Sequence, residues 1–413
     1  MVKRVSSRYL NQAVRILARL IQFETVNNSD QNSDFETAAA YLLKVTHQMG
    51  LESRLELPAP NKPALVVKVA GRSEESLLLL AHLDVAPVDQ PSQWKYPPFG
   101  GQLAGQAIWG RGAIDCKGLI VVWLTILQLL QDLQVPLRRS VVMMVTTDEE
   151  SGDGLGIRWL LDYTPEAEKV SCALNEGGGY LTQFGQRSFM TCQVGEKGLI
   201  WLRACNDGSV SFQSKRIHLP ATIPTVTHRL LETLLPFPLS CVYHGSMLTK
   251  LSLSWLQRRS PQKLDLESLF HQQVEIFVDQ NTVDLKLRIL PSDNSNNTNL
   301  RRQFLQALKL ENRPWQQIDQ IPATASSLDH SLYHQIESTV TTALPGFGLI
   351  PHVTPSYSDS QYLRRNGIPV FGFFPLPMGS PITNTHRLNE HLKVIDLRYA
   401  LEILLEIVIG YCT

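Results

Sequence analysis

Short runs made almost wholly of apolar residues, set apart by helix-length stretches, dominate the first half of the chain and leave few architectures open. Ser76 to Ala81 reads Ser-Leu-Leu-Leu-Leu-Ala, Val141 to Thr146 is similarly apolar, and Cys172 to Leu174 begins a further run. A strand that is apolar on both of its alternating faces is buried on both, as in a parallel sheet covered by helices. Between the strands, Gln12 to Phe23 carries apolar residues near helical spacing, and Lys117 to Leu133 reads as a core helix. The pattern predicts an α/β fold with a mostly parallel sheet flanked by helices.

At about 150 residues per domain, a chain of 413 residues holds two or three domains. The composition shifts after Gly195-Glu196-Lys197-Gly198, and from about residue 199 to 310 it is mixed and more polar. A helix is expected from Thr225 to Leu234, strands around Glu275 to Val278 and Val283 to Ile289, and a loop over Pro291 to Thr298. Strand–helix character returns near residue 320. The expected organisation is a discontinuous α/β domain, residues 1–196 and 320–413, interrupted by a smaller α+β unit at 197–319.

Charge narrows the function classes. Only 18% of residues are charged, and 38 basic residues cancel 38 acidic ones. With no net field and no Lys/Arg run, nucleic-acid binding is excluded as a main task. The apolar stretch Leu119 to Leu124 is far short of a bilayer span, so no membrane role is expected. The start, Met-Val-Lys-Arg, is followed by Ser6, Ser7, Arg8 and Asn11 where a signal peptide needs apolar residues. Six cysteines without Cys-x-x-Cys or short regular spacing read as reduced thiols. The cytoplasm is the expected compartment.

Acidic and histidine-bearing segments fall just beyond the apolar strands or in Gly-rich loops, and in open α/β sheets ligands gather at the carboxyl ends of the strands. His82-Leu83-Asp84 follows the Leu77 to Ala81 run, with both polar side chains on one side and Asp84 placed to hold the second nitrogen of His82. Asp115 lies in Gly110-Arg111-Gly112-Ala113-Ile114-Asp115-Cys116-Lys117-Gly118, Glu149 and Glu150 in Thr147 to Gly152, and Glu176 before Gly177-Gly178-Gly179. His386 stands in a polar loop, His386-Arg387-Leu388-Asn389-Glu390. Taken singly, each has an ordinary reading: a solvated strand end, a helix N-cap, a solvated turn, a Gly-rich turn, a surface histidine. Their conjunction carries more. His, Asp, Glu, Glu and His suit two borderline cations such as zinc with Asp115 bridging. Two divalent ions, three carboxylates and one hydroxide sum to a near-neutral centre that can be buried at modest electrostatic cost.

The sequence resembles the di-zinc metallopeptidase and amidohydrolase family of aminoacylase, carboxypeptidase S, acetylornithine deacetylase and succinyl-diaminopimelate desuccinylase. The resemblance rests on Ala81 to Pro87, Trp94 with Pro97-Pro98-Phe99, Trp109 to Gly118, Asp148 to Gly152, Glu176-Gly177-Gly178, Glu196-Lys197-Gly198, Arg288 to Pro291, Ser358-Asp359-Ser360 and His386 to Glu390, in the family's order. It implies one zinc on His82, Asp115 and Glu176, the other on Asp115, Glu150 and His386, with other divalent ions such as Co2+ as substitutes. It further implies Glu149 as general base, Asp84 orienting His82, and a cis peptide bond between Asp115 and Cys116. The implied reaction is amide hydrolysis of an N-acyl amino acid or small peptide bearing a free carboxylate, by a metal-bridged hydroxide. The middle unit is implied to be a lid through which two copies pair.

The match frays in that unit. Where the family has Gly-His-x-Ser, this chain has Asp207-Gly208-Ser209-Val210-Ser211, leaving His218 as the nearest candidate for the lid histidine. Arg288 is the candidate for a substrate carboxylate, and Gln361 stands where many relatives carry Arg. Two other readings stay open: a biosynthetic N-deacetylase or desuccinylase of the same family, and a metal-bearing binding protein with an impaired lid.

Overall fold

The computed structural model describes residues 5–27, 33–184, 186–206, 208, 217–219, 272–279, 281–291, 297–377, 379–380 and 384–413. Among these, a mixed sheet of ten strands forms the larger layer. Its centre consists of Ser140–Thr146, Ser76–His82, Val170–Asn175 and Val370–Gly372, neighbours that run parallel. On one side the strands Lys62–Val69 and Glu52–Ala59 continue antiparallel. On the other, Arg187–Glu196 joins antiparallel to Val370–Gly372 and parallel to Phe347–Thr354.

The apolar runs explain why these strands sit centrally. All seven residues of Ser76–His82 are buried, as are all seven of Ser140–Thr146. Alternation sends Leu77, Leu79, Val141 and Met143 into one core with Leu17, Trp123 and Leu404 from three helices. Leu78, Leu80, Val142 and Met144 point the other way, onto Ile157 and Leu160 of the helix Leu155–Tyr163. The first core is the larger because it receives Lys117–Asp132, a helix buried continuously from Lys117 to Leu130. Its Trp123 donates from Nε1 to the Leu80 carbonyl at 3.0 Å, so the helix is pinned to the strand that ends at His82.

A second sheet is antiparallel and five-stranded, in the order Ile217–Leu219, Gln272–Val278, Thr282–Ile289, Gly198–Cys205, Gln316–Ile321. Thr282–Ile289 alternates half-buried and buried residues, so one face packs and the other stays open. The packed face meets Phe304 and Leu305 of the helix Asn297–Ala307. That helix begins inside the stretch expected to be loop, because Leu300, Phe304 and Leu308 recur every fourth residue and pack on the sheet. The helix expected over Thr225 to Leu234 lies outside the described residues. The last strand of the second sheet runs to Ile321, across the expected boundary at 319/320; residues 198–321 are our proposal for the inserted unit.

Replacing Trp123 with Ala should remove both a fully buried indole and its tie to Leu80. Chemical denaturation should show a loss of about 3–5 kcal/mol; a loss under about 1 kcal/mol would contradict this account of the core.

Candidate metal centre

The parallel strands deliver their carboxyl ends to one place. His82 closes the Ser76–His82 strand, Glu149 and Glu150 follow Ser140–Thr146, and Glu176 follows Val170–Asn175. Asp115 comes from the turn before the Lys117–Asp132 helix, where Gly112 at φ +84° and a cis Asp115–Cys116 bond redirect the chain. His386 arrives from the far end of the sequence and is half exposed.

The two oxygens of Asp115 face different imidazoles. Oδ1 lies 3.0 Å from His82 Nε2, and Oδ2 lies 3.0 Å from His386 Nε2. Glu176 Oε2 stands 3.7 Å from His82 Nε2, and Glu150 Oε1 stands 3.0 Å from His386 Nε2. Potential ligand atoms of His82, Asp115, Cys116 and Glu176 all lie within 4.8 Å of one another, and so do those of Asp115, Glu150 and His386. The residues therefore form two donor groups sharing one carboxylate. Such spacing suits two cations bridged by Asp115, and the oxygen and nitrogen donors suit borderline divalent ions.

Electrostatics point the same way. Burial, and after it the charge of Asp115, pushes the Glu176 carboxyl up to about 8. Burial and the neighbouring Glu176 likewise hold Glu149 well above the ordinary carboxylate range. Hydrogen bonds to Asp115 and Glu150 raise His386 to about 10. A cluster that keeps extra protons is short of positive charge, which metal ions supply. Glu176 and His386 must both give up protons to become ligands, so metal affinity should rise as pH climbs through about 8 and on toward about 10. Calorimetry in two buffers of different ionisation enthalpy should show protons released on zinc addition at pH 7. Identical heats in both buffers would contradict this.

Asp84 does more than the sequence suggests, and does it differently. His82 Nδ1 hydrogen-bonds the backbone carbonyl of Asp84 at 2.9 Å, while the carboxylate is farther off, at 3.4 Å. That carboxylate instead accepts from the backbone N–H of Glu150 at 2.9 Å, that of Glu149 at 3.3 Å, and Asn27 Nδ2 at 2.7 Å. Lys62 reaches the same Asn27. Asp84 thus fixes both ends of the donor array.

Four further residues have contacts that the sequence alone does not show. Glu390 is fully buried, pairs with Arg111 at 2.9 Å, and accepts from the backbone N–H of Ile114 and Asp115. It thereby holds the turn that presents Asp115, four residues from His386 in the chain. Glu196 accepts from the N–H and Oγ of Ser358 and lies 3.1 Å from Arg364. Arg364 follows Gln361 by one helical turn and is buried, so a guanidinium reaches this region from the next turn of the Ser360–Arg365 helix. Cys116 is buried against His82, and burial pushes its thiol up to about 12.

A cavity of about 430 Å³ opens over the donors and reaches Arg288 on the second sheet. The Nη1 of Arg288 is buried and has no hydrogen-bond partner among the described residues. His218 falls on the short strand Ile217–Leu219, and its side chain lies outside the described residues.

The model of peptidase family M20/M25/M40 matches residues 78–409, which takes in His82, Asp115, Glu149, Glu150, Glu176 and His386. The chain belongs to this family. This is the family that the resemblance in its motifs implies. Carboxypeptidase S of Saccharomyces cerevisiae is 34% identical over 141 residues, 32% of this chain and 24% of that protein. Succinyl-diaminopimelate desuccinylase of Paracoccus denitrificans is 27% identical over 192 residues, 45% of this chain and 49% of that one. The matches thus span only a quarter to a half of these relatives. A crystal structure of an M20 family metallo-carboxypeptidase from Sulfolobus solfataricus superposes with a TM-score of 0.64 at 17% identity, covering 98% of this chain and 99% of that one, and shares the fold.

Proposed function

We propose that this chain is a zinc-dependent hydrolase that cleaves the amide bond of N-acyl amino acids or small peptides bearing a free carboxylate, in the manner of a carboxypeptidase or aminoacylase. The observation that carries the reading is the pair of donor groups sharing Asp115 beneath a cavity that also holds Arg288, whose buried Nη1 has no hydrogen-bond partner among the described residues. One zinc would sit on His82, Asp115 and Glu176, the other on Asp115, Glu150 and His386. When bound, the two ions supply Lewis-acid polarisation of the scissile carbonyl and make water acidic enough to react at neutral pH.

The chain's own groups do the rest. Glu149 lines the cavity, with Oε2 3.9 Å from His82 Nε2. It is the general base: its carboxylate takes a proton from water and passes it to the leaving amine nitrogen. A raised carboxyl pKa brings the group nearer neutrality, where it both accepts and returns a proton readily. Arg288 holds the substrate carboxylate and so sets which amide lies over the donors. Asp84 is a positioning residue: its carbonyl meets His82 Nδ1, and its carboxylate accepts from the Glu149 and Glu150 backbone N–H groups.

Glu149→Gln should keep about two zinc ions per chain by elemental analysis while lowering kcat by roughly 10²–10⁴. Full activity in that variant would overturn the assignment of the base. Arg288→Ala should raise KM by roughly 10- to 100-fold for substrates with a free carboxylate, the loss of one charged hydrogen bond. It should spare the same substrates capped as amides, and equal losses on both would remove Arg288 from carboxylate binding. The desuccinylase reading draws on the longer match to those relatives, and turnover of N-succinyl-diaminopimelate above all N-acetyl amino acids would select it. Pairing of two copies through the second sheet belongs to the same proposal, and the solution mass of the purified protein tests it.

A further inference from the structure

The cavity over the donors has an unusual wall. Ligand pockets are lined mainly by hydrophobic side chains with a few polar ones. Here no aliphatic side chain, and no Phe, Trp or Met, lines the cavity among the described residues. Beyond the metal donors, its surface is made of hydroxyls, an amide, phenols and glycine, with the Glu149 and Glu196 carboxylates and Arg288.

Several of these polar groups are already committed. Ser358 Oγ donates to Glu196, and Gln193 bonds Glu196 and Arg364. Others are unspent: Tyr180 Oη, Ser356 Oγ and Tyr357 Oη have no hydrogen-bond partner among the described residues. Tyr180 sits four residues after Glu176, while Ser356 and Tyr357 lie in the turn between Phe347–Thr354 and the Ser360–Arg365 helix. Together with Arg288, they leave three hydroxyls and one guanidinium available in a space of about 430 Å³.

From this we infer that the site selects substrates whose carboxylate-bearing residue has a small polar, hydrogen-bonding side chain, an amide or a hydroxyl, over an apolar side chain of the same size. The inference rests on the amide-hydrolase reading above and deepens it. The physical reason is asymmetric. An apolar side chain gains less against such a wall, because among the described residues only the Tyr180 and Tyr357 rings and the Thr354 methyl offer it hydrocarbon. It also strips water from Tyr180, Ser356 and Tyr357 without replacing the lost hydrogen bonds, which is the costly event. A carboxamide or hydroxyl makes those bonds. Ser356 and Tyr357 are therefore specificity-determining residues, touching the side chain rather than the scissile bond.

Near-isosteric pairs isolate the effect. With the zinc-loaded enzyme, kcat/KM is measured for N-acetyl-glutamine against N-acetyl-methionine, and for N-acetyl-asparagine against N-acetyl-leucine. The polar member should be favoured by at least about tenfold in each pair. Tyr357→Phe and Ser356→Ala should each narrow that ratio. In Glu149→Gln, where substrate stays intact, calorimetric Kd values should show the same order. Turnover with equal or reversed preference would overturn this inference and leave the hydrolase reading standing. An unchanged ratio in both variants would overturn the assignment to Ser356 and Tyr357. No turnover of any of the four by enzyme carrying two zinc ions would overturn the amide-hydrolase reading, and this inference with it.

Discussion

Asp115 offers its two oxygens to two different histidines, each at 3.0 Å, and the rest of the site is arranged so that this one carboxylate can be shared. Sharing requires His82 and His386 to approach from opposite sides, although 304 positions separate them in the chain. It also requires Glu149, Glu150 and Glu176 to crowd nearby, which is unfavourable for like charges in a partly dry setting. The first is solved by strand ends on one side, which carry His82, and on the other by Glu390, which ties the His386 loop to the turn bearing Asp115. The second is met by raised carboxyl pKa values at Glu176 and Glu149, and metal ions would supply the missing positive charge.

Rigidity comes from residues that never face the cavity. Glu390 grips the Ile114 and Asp115 N–H groups while paired to Arg111, so the loop bearing His386 and the turn bearing Asp115 move as one. A buried ion pair of this kind adds little to net stability, but breaking it leaves a stranded charge. Its contribution is to fix geometry. Asp359, buried between the Ser358 and Ser360 contacts, accepts from Thr146 Oγ1, and Ser360 Oγ accepts from Asn175. The same short segment thus braces the strand ends that precede Glu149 and Glu176.

Much of this was legible in the sequence, for physical reasons that differ by region. Leu77 to Ala81 and Val141 to Thr146 announce themselves because a strand buried on both faces has no room for polar residues. The donors were legible because each is an acidic or histidine residue placed just after such a run or in a Gly-rich turn. The role of Asp84 was only half legible: spacing pointed to His82, whereas the contacts to Glu149 and Glu150 depend on a neighbouring strand 65 residues away. Glu390 and Arg364 were harder still, since their partners lie 276 and 168 positions off, beyond any local pattern. The second sheet was partly legible. Its strand Thr282–Ile289 alternates half-buried and buried residues, and the polar first turn of Asn297–Ala307 looks like loop until Phe304 is seen against the sheet.

The bond from Glu196 to Ser358 has a mechanical consequence. Glu196 is the last residue of its strand in the large sheet, and Gly198 is the first of the second sheet, with only Lys197 between them. Because Glu196 is bolted to Ser358 and Arg364, and the Lys197 N–H donates to the Thr354 carbonyl, the chain is anchored up to one residue short of the second sheet. Arg288 pairs with Leu199, two residues beyond Lys197, so its place over the carboxylates is set through that short, anchored link.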